Sequence, residues 1–393
     1  MTVSNEILSI QNVYKVFGPQ PDVAMEMLNK GASKDEIFEK TGQTVGVFDA
    51  SFSVKKGEIF VIMGLSGSGK STMVRLLNRL IEPTSGSISL NGRDITGLSD
   101  KDLLDVRRRE MSMVFQSFAL MPHMTVMENA AFGLEISGVP EKERNARAQD
   151  ALSQVGLGEH GASYPHQLSG GMQQRVGLAR ALTNDPTILL MDEAFSALDP
   201  LIRYEMQGEL IRLQKEQERT IIFISHDLDE AIRIGDRIAI MEGGRVVQIG
   251  TPQEILRNPA DDYVETFFKG VDVSKVLKAG DVAEKDPRSL IKLNGSIKLL
   301  DPSSDIAYRY LVDDREQLQG VVNGYDFGSQ TPNMKALEAL RIDRHRSIAW
   351  DTPLHDVLQT VADTAYPIPV IDRDGSFKGT ISKSLLLQTL SHG

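Results

Sequence analysis

A glycine-rich loop followed by a lysine and two hydroxyl side chains is the strongest chemical feature of the sequence. Glycines let backbone N–H groups close around phosphate oxygens, a lysine adds positive charge at the β- and γ-phosphates, and a serine hydroxyl can ligate Mg²⁺. The spacing therefore predicts a P-loop that binds ATP with Mg²⁺. Its residues are Gly64, Leu65, Ser66, Gly67, Ser68, Gly69, Lys70, Ser71 and Thr72.

Two adjacent carboxylates form a second chemical feature. Asp192 and Glu193 follow the apolar run Ile188 to Met191, which is typical of a buried strand. Open α/β sheets bind ligands at the carboxyl ends of their strands. We therefore predict that Asp192 holds Mg²⁺, directly or through water, and that Glu193 polarises a water for attack on the γ-phosphate.

The elements that must position these residues predict an α/β fold. Glu6 to Phe17 alternates apolar and polar residues, and Glu58 to Met63 is apolar after its first residue, as expected of a strand buried on both faces. Residues 23–41 have helical spacing, which indicates a helical segment inserted before a strand at Val47 to Val54. A helix from the loop to Leu80 completes the strand, loop and helix order of a P-loop.

Composition narrows the class of protein. The chain has 393 residues, 41% hydrophobic and 25% charged, which fits two or three globular domains. No apolar run approaches the roughly 20 residues of a membrane span, and the net charge of −11 disfavours nucleic-acid binding. The absence of cysteine excludes disulfides and thiolate metal sites. We therefore expect a cytoplasmic protein that binds no nucleic acid and does not span a membrane by itself.

Four further motifs lie at independent positions along the chain. They are Gln116, LSGGMQQR at 168–175, SALD at 196–199, and His226 at the end of the apolar strand 220–225. In residue type and chain order they resemble the Q-loop, signature, D-loop and switch histidine of ABC transporter ATPases. The resemblance covers residues 6 to 270, with Met172 standing where the family consensus has glutamine.

This resemblance implies an ABC-type ATPase domain with a RecA-like core, an antiparallel β subdomain and a helical subdomain. It also implies a head-to-tail homodimer in which each ATP lies between the P-loop of one copy and the signature of the other. The residues expected to act in hydrolysis are Lys70, Gln116, Glu193 and His226. The residues added to the nucleotide site are Ser169, Gly170, Gly171, Asp199 and Phe17, and the Mg²⁺ ligands are Ser71, Asp192 and Gln116. Phe17 would stack on adenine, the alternative being a core or surface aromatic.

Less universal stretches resemble the ATPase subunits of importers for glycine betaine and proline betaine. They include the insertion at 18–46, MVFQSFALMPHMTVMENAAFG and LLMDEAFSALDPLIRYEMQ. The resemblance implies a peripheral protein on the cytoplasmic face of the inner membrane that drives a separate permease, to which a binding protein delivers the solute. Met121 to Met127 would contact the permease, the alternative being core filling. The alternatives in function are an importer for another small solute, such as an amino acid, and a soluble ABC ATPase.

The last hundred or so residues repeat one theme, which predicts paired domains. The first set of segments is Tyr310 to Asp313, Gly320 to Asn323 and Asp326. The corresponding second set, in the same order, is Pro369 to Asp372, Gly379 to Ser382 and Ser384. They resemble a tandem pair of CBS domains, modules with the order β-α-β-β-α. The predicted domains are an ATPase at 1–268, a linker at 269–284, a degenerate first CBS domain at 285–340 and a second at 341–393.

The paired domains are expected to regulate, because every ATPase motif lies before residue 230. CBS pairs that bind adenosine nucleotides commonly place an aspartate at a helix start, a position that Asp326 keeps and Ser384 replaces. Basic residues between the two copies could instead attract an anionic lipid surface, an attraction that salt screens. These basic residues are Arg341, Arg344, His345 and Arg346. A regulatory nucleotide and an anionic lipid both stay open as partners.

Overall fold

A computed structural model describes residues 5–116, 119–293, 297–299, 306–326 and 346–391. The chain divides into two compact units, Met1–Phe268 and Lys269–Gly393. Within the described ranges, every helix is too short or too polar to cross a membrane. Three of the basic residues expected to attract lipid, Arg341, Arg344 and His345, lie outside the described residues.

The strands of the first unit are β1 (Glu6–Phe17), β2 (Thr44–Lys55), β3 (Ile59–Met63), β4 (Ser85–Leu90), β5 (Arg93–Asp94), β6 (Met111–Val114), β7 (Ile188–Asp192), β8 (Thr220–Ser225), β9 (Arg237–Glu242) and β10 (Arg245–Gly250). They form a six-stranded sheet in the order β10-β9-β3-β8-β7-β6 and an antiparallel sheet in the order β2-β1-β4-β5. All strand pairs of the larger sheet are parallel except β10 with β9. The predicted α/β fold is confirmed.

The helices of the first unit are α1 (Pro21–Asn29), α2 (Lys34–Thr41), α3 (Lys70–Leu77), α4 (Asp100–Arg109), α5 (Val126–Glu135), α6 (Glu141–Gln154), α7 (Gly170–Leu182), α8 (Pro200–Gln217), α9 (Leu228–Ile234), α10 (Pro252–Arg257) and α11 (Asp262–Phe268). The inserted segment is helical, as predicted, and it forms two helices, α1 and α2. The helix after the P-loop ends at Leu77 and not at Leu80. It stops because Arg79 adopts a left-handed φ of 52° and the Leu80 N–H is taken by the Asn78 side chain.

One hydrophobic core joins the two sheets of the first unit. Side chains of β1, β3, β8 and α3 meet in it, including Ile10, Ile62, Ile224, Met73 and Leu77, all of them buried. Burying such a side chain contributes about 1.5–3 kcal/mol. The core therefore fixes the end of β3 and the start of α3, and with them the loop between the two.

A separate group of helices packs beside this core. Helices α5, α6 and α7 contact one another, and α7 also contacts β6 of the larger sheet. Together they form the expected helical subdomain. The start of α7 carries the signature residues, so this subdomain positions them.

The second unit contains β11 (Leu290–Leu293), β12 (Ile297–Leu299), β13 (Tyr308–Asp313), β14 (Leu318–Asn323), β15 (Ile348–Ala349), β16 (Ile368–Ile371), β17 (Phe377–Ile381), α12 (Val273–Val276), α13 (Ala279–Val282), α14 (Leu354–Asp363) and α15 (Lys383–Ser391). The sheets have the orders β12-β11-β13-β14 and β15-β16-β17. In each copy a first strand runs parallel to a second, which pairs antiparallel with a third. This repeat is compatible with the expected modules.

The two copies differ in the element that follows their first strand. In the second copy, α14 separates β15 from β16, which gives the full β-α-β-β-α order with α15 at the end. In the first copy β12 follows β11 directly and pairs with it antiparallel. The first copy is thus degenerate in topology as well as in sequence. The predicted boundary between the copies lies outside the described residues.

In each copy a turn joins the second strand to the third, and the two turns form equivalent backbone hydrogen bonds with each other. The Leu318 N–H donates to Gly375 O at 3.2 Å, and the Phe377 N–H donates to Glu316 O at 2.8 Å. In register, Leu311 pairs with Gly320, and Val370 pairs with Gly379. Both pairings place equivalent residues 59 positions apart, so the counterpart of Asp326 is Leu385 and not Ser384 as predicted.

The segment predicted as a linker, 269–284, is structured over part of its length. It contains α12 and α13, which contact α14 and β17 respectively. Buried apolar residues seat both helices, and the Leu354 N–H donates to Leu277 O at 2.8 Å. Most of this segment therefore packs as part of the second unit.

Candidate functional site

The loop between β3 and α3 lies tightly against the neighbouring strand β9. Gly64 has a φ of 152°, and a Cβ there would stand 2.1 Å from Met241 O, so only glycine fits. Lys70, the first residue of α3, donates from Nζ to Gly64 O at 2.8 Å and to Leu65 O at 3.0 Å. Burial lowers the pKa of Lys70. The loop thus holds one desolvated ammonium group beside its own backbone, where a phosphate group could be bound.

A hydroxyl and a carboxylate that could act as oxygen ligands lie side by side next to this loop. Ser71 Oγ donates to Asp192 Oδ1 at 3.0 Å, and Arg75 Nη2 lies 3.9 Å from Asp192 Oδ2. Asp192 ends β7 and is 6% exposed, and burial raises the pKa of its carboxyl. Hard oxygen donors of this kind suit Mg²⁺, which is usually held by one or two carboxylates plus phosphates. The arrangement fits the predicted metal ligands Ser71 and Asp192.

Glu193 stands beyond the end of β7 with an unusual backbone. Its φ is 47°, in the left-handed region that costs a non-glycine residue of order 1–3 kcal/mol. Its Oε2 accepts a hydrogen bond from Gln116 Nε2 at 3.2 Å and lies 3.3 Å from His226 Nδ1. The side chains of Gln116, Glu193 and His226 therefore converge although they are far apart in sequence. Strain at this position is maintained by the surrounding turn, in which the Ser196 N–H donates to Glu193 O.

A cleft of about 730 Å³ collects most of the predicted nucleotide-binding residues. Its predicted lining residues are Phe17, Gly64, Leu65, Ser66, Gly67, Gly69, Lys70, Ser71, Thr72, Glu193 and His226. Phe17 lies among the lining residues, and its side chain is 38% exposed. Of the other predicted residues, Ser68 and Asp192 are buried beside the cleft, and Gln116 reaches it through Glu193.

Three lining residues were not predicted: Thr44, Val45 and Gly46. They start β2, directly after the inserted helices. Phe17 pairs with Thr44 in the antiparallel register of β1 and β2, so the two strands bring them to one end of the cleft. Pairing the two predicted strands in an antiparallel hairpin would have indicated this position.

Comparisons with known proteins identify the family. Residues 47–196 match the family model described as ABC transporter. The chain is 54% identical over 98% of its length to the glycine betaine/proline betaine transport system ATP-binding protein ProV of Escherichia coli K12, covering 97% of that protein. It belongs to the ATP-binding subunits of ABC transporters.

Two further relatives extend the comparison. The glycine betaine transport ATP-binding protein OpuAA of Bacillus subtilis 168 is 50% identical, with 98% of this chain and 92% of that protein covered. A solved dimeric ATP-binding cassette in a post-hydrolysis state, bound to ADP and Pi, is 31% identical with a TM-score of 0.53, covering 62% of this chain and 98% of that one. As a member of this family, the chain is an ATPase, and the fold predicted for residues 6 to 270 is confirmed.

The signature of this ABC protein lies at an exposed helix start, apart from the cleft. Ser169 caps α7, its Oγ accepting from the Met172 N–H at 3.3 Å. Gly170 follows it on the surface, and a Cβ on Gly171 would stand 2.5 Å from Ile202 Cγ2. Asp199 similarly caps α8, accepting from the Ile202 N–H at 3.1 Å. Among the described residues that line the cleft, none comes from the signature or from Asp199.

The methionine-rich segment after the Q-loop is a folded loop held by one buried side chain. Asn129 is fully buried, and its Nδ2 donates to the carbonyls of Met121, Met124 and Thr125 at 2.9–3.1 Å. The methionines 121, 124 and 127 are half-buried. Sequence reasoning missed Asn129, because a single asparagine within a helix carries no motif. The loop is thus a defined, partly apolar surface.

Proposed function

We propose that this chain is the ATP-hydrolysing subunit of an importer for glycine betaine, proline betaine or a related quaternary amine. The observation that carries the proposal is the identity of 54% over 98% of the chain to a protein named for glycine betaine/proline betaine transport. The solute passes through a separate membrane permease, to which a binding protein delivers it. The subunit works at the cytoplasmic face of the inner membrane.

In this proposal the cleft binds the nucleotide with its base at Phe17 and its phosphates at Lys70. Phe17 offers an aromatic face at one end of the cleft, and the backbone N–H groups and ammonium group of the loop offer positive charge at the other. Ser71, Asp192 and Gln116 would hold Mg²⁺, which supplies charge neutralisation between the phosphates. The protein supplies the orientation of all these groups.

Hydrolysis in this proposal depends on Glu193. Its carboxylate is the group positioned to accept a proton from the attacking water, and Gln116 and His226 hold that carboxylate from two sides. His226 would also contact the γ-phosphate, for which its half-exposed ring is accessible. Lys70 would stabilise the charge that develops on the transferred phosphoryl group.

A second copy would complete each site in a head-to-tail arrangement. Ser169, Gly170 and Gly171 present a helix N-terminus, which favours anionic ligands, and all lie away from the cleft of their own copy. The dimeric cassette to which this chain is similar supports a dimer. The permease would contact the loop at Met121 to Met127, next to Gln116.

The second unit would regulate transport. Its repeated three-strand pattern and the full strand-helix order of the second copy support a CBS-like pair. The expected ligand is a regulatory nucleotide held between the copies, or an anionic lipid at the basic residues that precede Ile348. Leu385 in place of an acidic residue leaves only the first copy with an aspartate for a ribose.

The experiment is Glu193→Gln in the full chain reconstituted with its permease and binding protein in liposomes. The amide keeps the shape of the side chain but cannot accept a proton, so ATP hydrolysis and glycine betaine uptake should fall by about 10²-fold or more while MgATP binding persists. Glu242→Gln, at the end of β9, which β3 and β8 separate from β7 in the same sheet, is the matched control. Turnover near that of the wild type would contradict the role of Glu193, and uptake of an amino acid but not of betaines would contradict the solute class.

A further inference from the structure

The inserted segment α1–α2 begins and ends at the nucleotide cleft. It follows Phe17 directly and leads into Thr44, and both of these residues line the cleft. Its two ends are packed together, since a Cβ on Gly18 would stand 2.7 Å from Gln43 Cγ. The insertion therefore leaves one wall of the cleft and returns to the same wall.

The inserted helices are seated on that wall by a small apolar core of their own. Ala24, Leu28 and Ile37 pack with Val16 and Val45, and all five are buried. Val16 precedes Phe17, and Val45 lines the cleft. Any movement of α1 or α2 is thus transmitted to the backbone that carries the aromatic platform.

Lys34 makes the polar contact between the insertion and the cleft wall. It is the first residue of α2, which a capping box at Ser33 and Glu36 holds in place. Its Nζ donates to Val45 O at 2.9 Å. Burial lowers the pKa of Lys34, so the ammonium group loses hydration in order to make this contact.

The same ammonium group is close to the base of the P-loop. A Cβ on Gly244 would stand 2.5 Å from Lys34 Nζ and 2.7 Å from Gly46 O, so both of these atoms pack against that glycine. Gly244 in turn donates its N–H to Ser68 O at 2.9 Å, which holds the P-loop. Lys34 thus lies where the cleft wall and the P-loop meet, but its hydrogen bond goes to the wall.

We infer that Lys34 is a positioning residue for the adenine side of the nucleotide site, and that α1 and α2 are part of that site. The inference rests on the proposed function, because it needs the base to lie at Phe17. Lys34 fixes the Val45 carbonyl, and thereby Gly46, over which the Phe17 ring packs: a Cβ on Gly46 would stand 2.7 Å from Phe17 Cε2. Without Lys34 the platform loses its orientation while the phosphate-binding loop keeps its own contacts.

The test uses calorimetry to measure how tightly the full chain carrying Lys34→Met binds ADP and pyrophosphate, each in the presence of Mg²⁺. The dissociation constant for ADP should rise about five- to tenfold, the size of one ordinary net hydrogen bond, while that for pyrophosphate stays within about twofold. The matched control is Lys40→Met, at an exposed position on the same helix, which should change neither. Retained pyrophosphate binding also shows that the variant is folded.

Two more variants keep the inference falsifiable. Lys34→Arg retains a cationic donor for the single hydrogen bond to Val45 O, and should therefore bind ADP more tightly than Lys34→Met. Phe17→Ala combined with Lys34→Met should weaken ADP binding by less than the two separate effects multiplied, because both act through one platform. An unchanged ADP constant in Lys34→Met, an equal loss for pyrophosphate, or an Arg variant as weak as the Met variant would overturn the inference. Wild-type protein that binds no ADP would instead overturn the proposed function.

Discussion

Replacing Arg203 with methionine is predicted to destabilise the first unit and to slow ATP hydrolysis more than it weakens ATP binding. Arg203 lies on α8, and its Nη1 donates to Asp227 Oδ2 at 3.3 Å. Its Nη2 donates to the carbonyls of Ser196 and Leu198, both at 3.2 Å. One guanidinium group therefore joins the turn that follows Glu193 to the residue that follows His226.

The expected loss of stability follows from these three contacts. The ion pair is partly exposed, 28% for Arg203 and 36% for Asp227, so it contributes about 0.5–1 kcal/mol. Each hydrogen bond from the cation to a backbone carbonyl contributes about 1 kcal/mol at this degree of burial. Arg203→Met should therefore lower the free energy of unfolding by about 2.5–3 kcal/mol. Because small misplacements of catalytic groups are costly, the rate constant of hydrolysis should fall about tenfold or more.

Urea unfolding and steady-state ATP hydrolysis measure the two effects. A double-mutant cycle with Asp227→Asn isolates the ion pair, since asparagine keeps the helix cap that Asp227 gives to the Glu230 N–H. The coupling energy should be about 0.5–1 kcal/mol. Arg212→Met is the control, because Arg212 lies on the same helix and forms ion pairs there with Glu209 and Glu216. Its further hydrogen bond goes to Gln154 O at the end of α6, and not to the turns that follow Glu193 and His226.

The reasoning is refuted if Arg203→Met unfolds within about 0.5 kcal/mol of the wild type, the range usual for surface substitutions. It is equally refuted if the variant hydrolyses ATP at the wild-type rate. A variant that loses stability but keeps its turnover would show that Arg203 acts on the fold alone. The mutual position of the two loops would then not limit hydrolysis.

Two further predictions concern the surfaces outside the cleft. Met124→Glu should abolish transport by the reconstituted importer, while the isolated subunit keeps its basal ATP hydrolysis. The control is Ile136→Glu, at the exposed far end of α5, which should leave both transport and hydrolysis unchanged. Uptake at the wild-type rate by the Met124 variant would exclude this loop as the permease contact. Truncation after Phe268, the boundary between the two units, should preserve ATP hydrolysis and remove the dependence of transport on salt or nucleotide. If that dependence persists in anionic liposomes, regulation lies outside the second unit.

Local patterns were sufficient for the strands and the loop of the ATPase unit. Alternation between Glu6 and Phe17 and the apolar run 220–225 predict two strands whose bounds the structure reproduces. The glycines and Lys70 predict the phosphate-binding loop because each position has its own steric or charge requirement. The end of α3 was missed, since the left-handed Arg79 is stabilised by its contacts to Ile95 O and Leu98 O, which are distant in sequence.

What could not be predicted depends on long-range contacts. Val45 and Gly46 become cleft residues only because β2 pairs with β1. Lys34 resembles any other surface lysine until its bond to Val45 O is known. In the second unit, Leu385 was missed although the paired segments Gly320 to Asn323 and Gly379 to Ser382 are already 59 positions apart in the sequence, and the strand register confirms that spacing. The segment 269–284 was predicted as a linker because the contacts of α12 with α14 and of α13 with β17 cannot be read from the sequence.

The hydrogen bonds at Ser169 and Asp199 distinguish their roles in the proposed dimer. Ser169 Oγ accepts from the Met172 N–H, which leaves its own hydroxyl hydrogen to donate outward, as a phosphate oxygen requires. Asp199 also caps a helix, but an ionised carboxylate offers only acceptors and repels phosphate. Asp199 is therefore better suited to backbone N–H groups or the attacking water at the opposite site than to the nucleotide itself. The signature would bind phosphate across the dimer, while Asp199 would position what surrounds it.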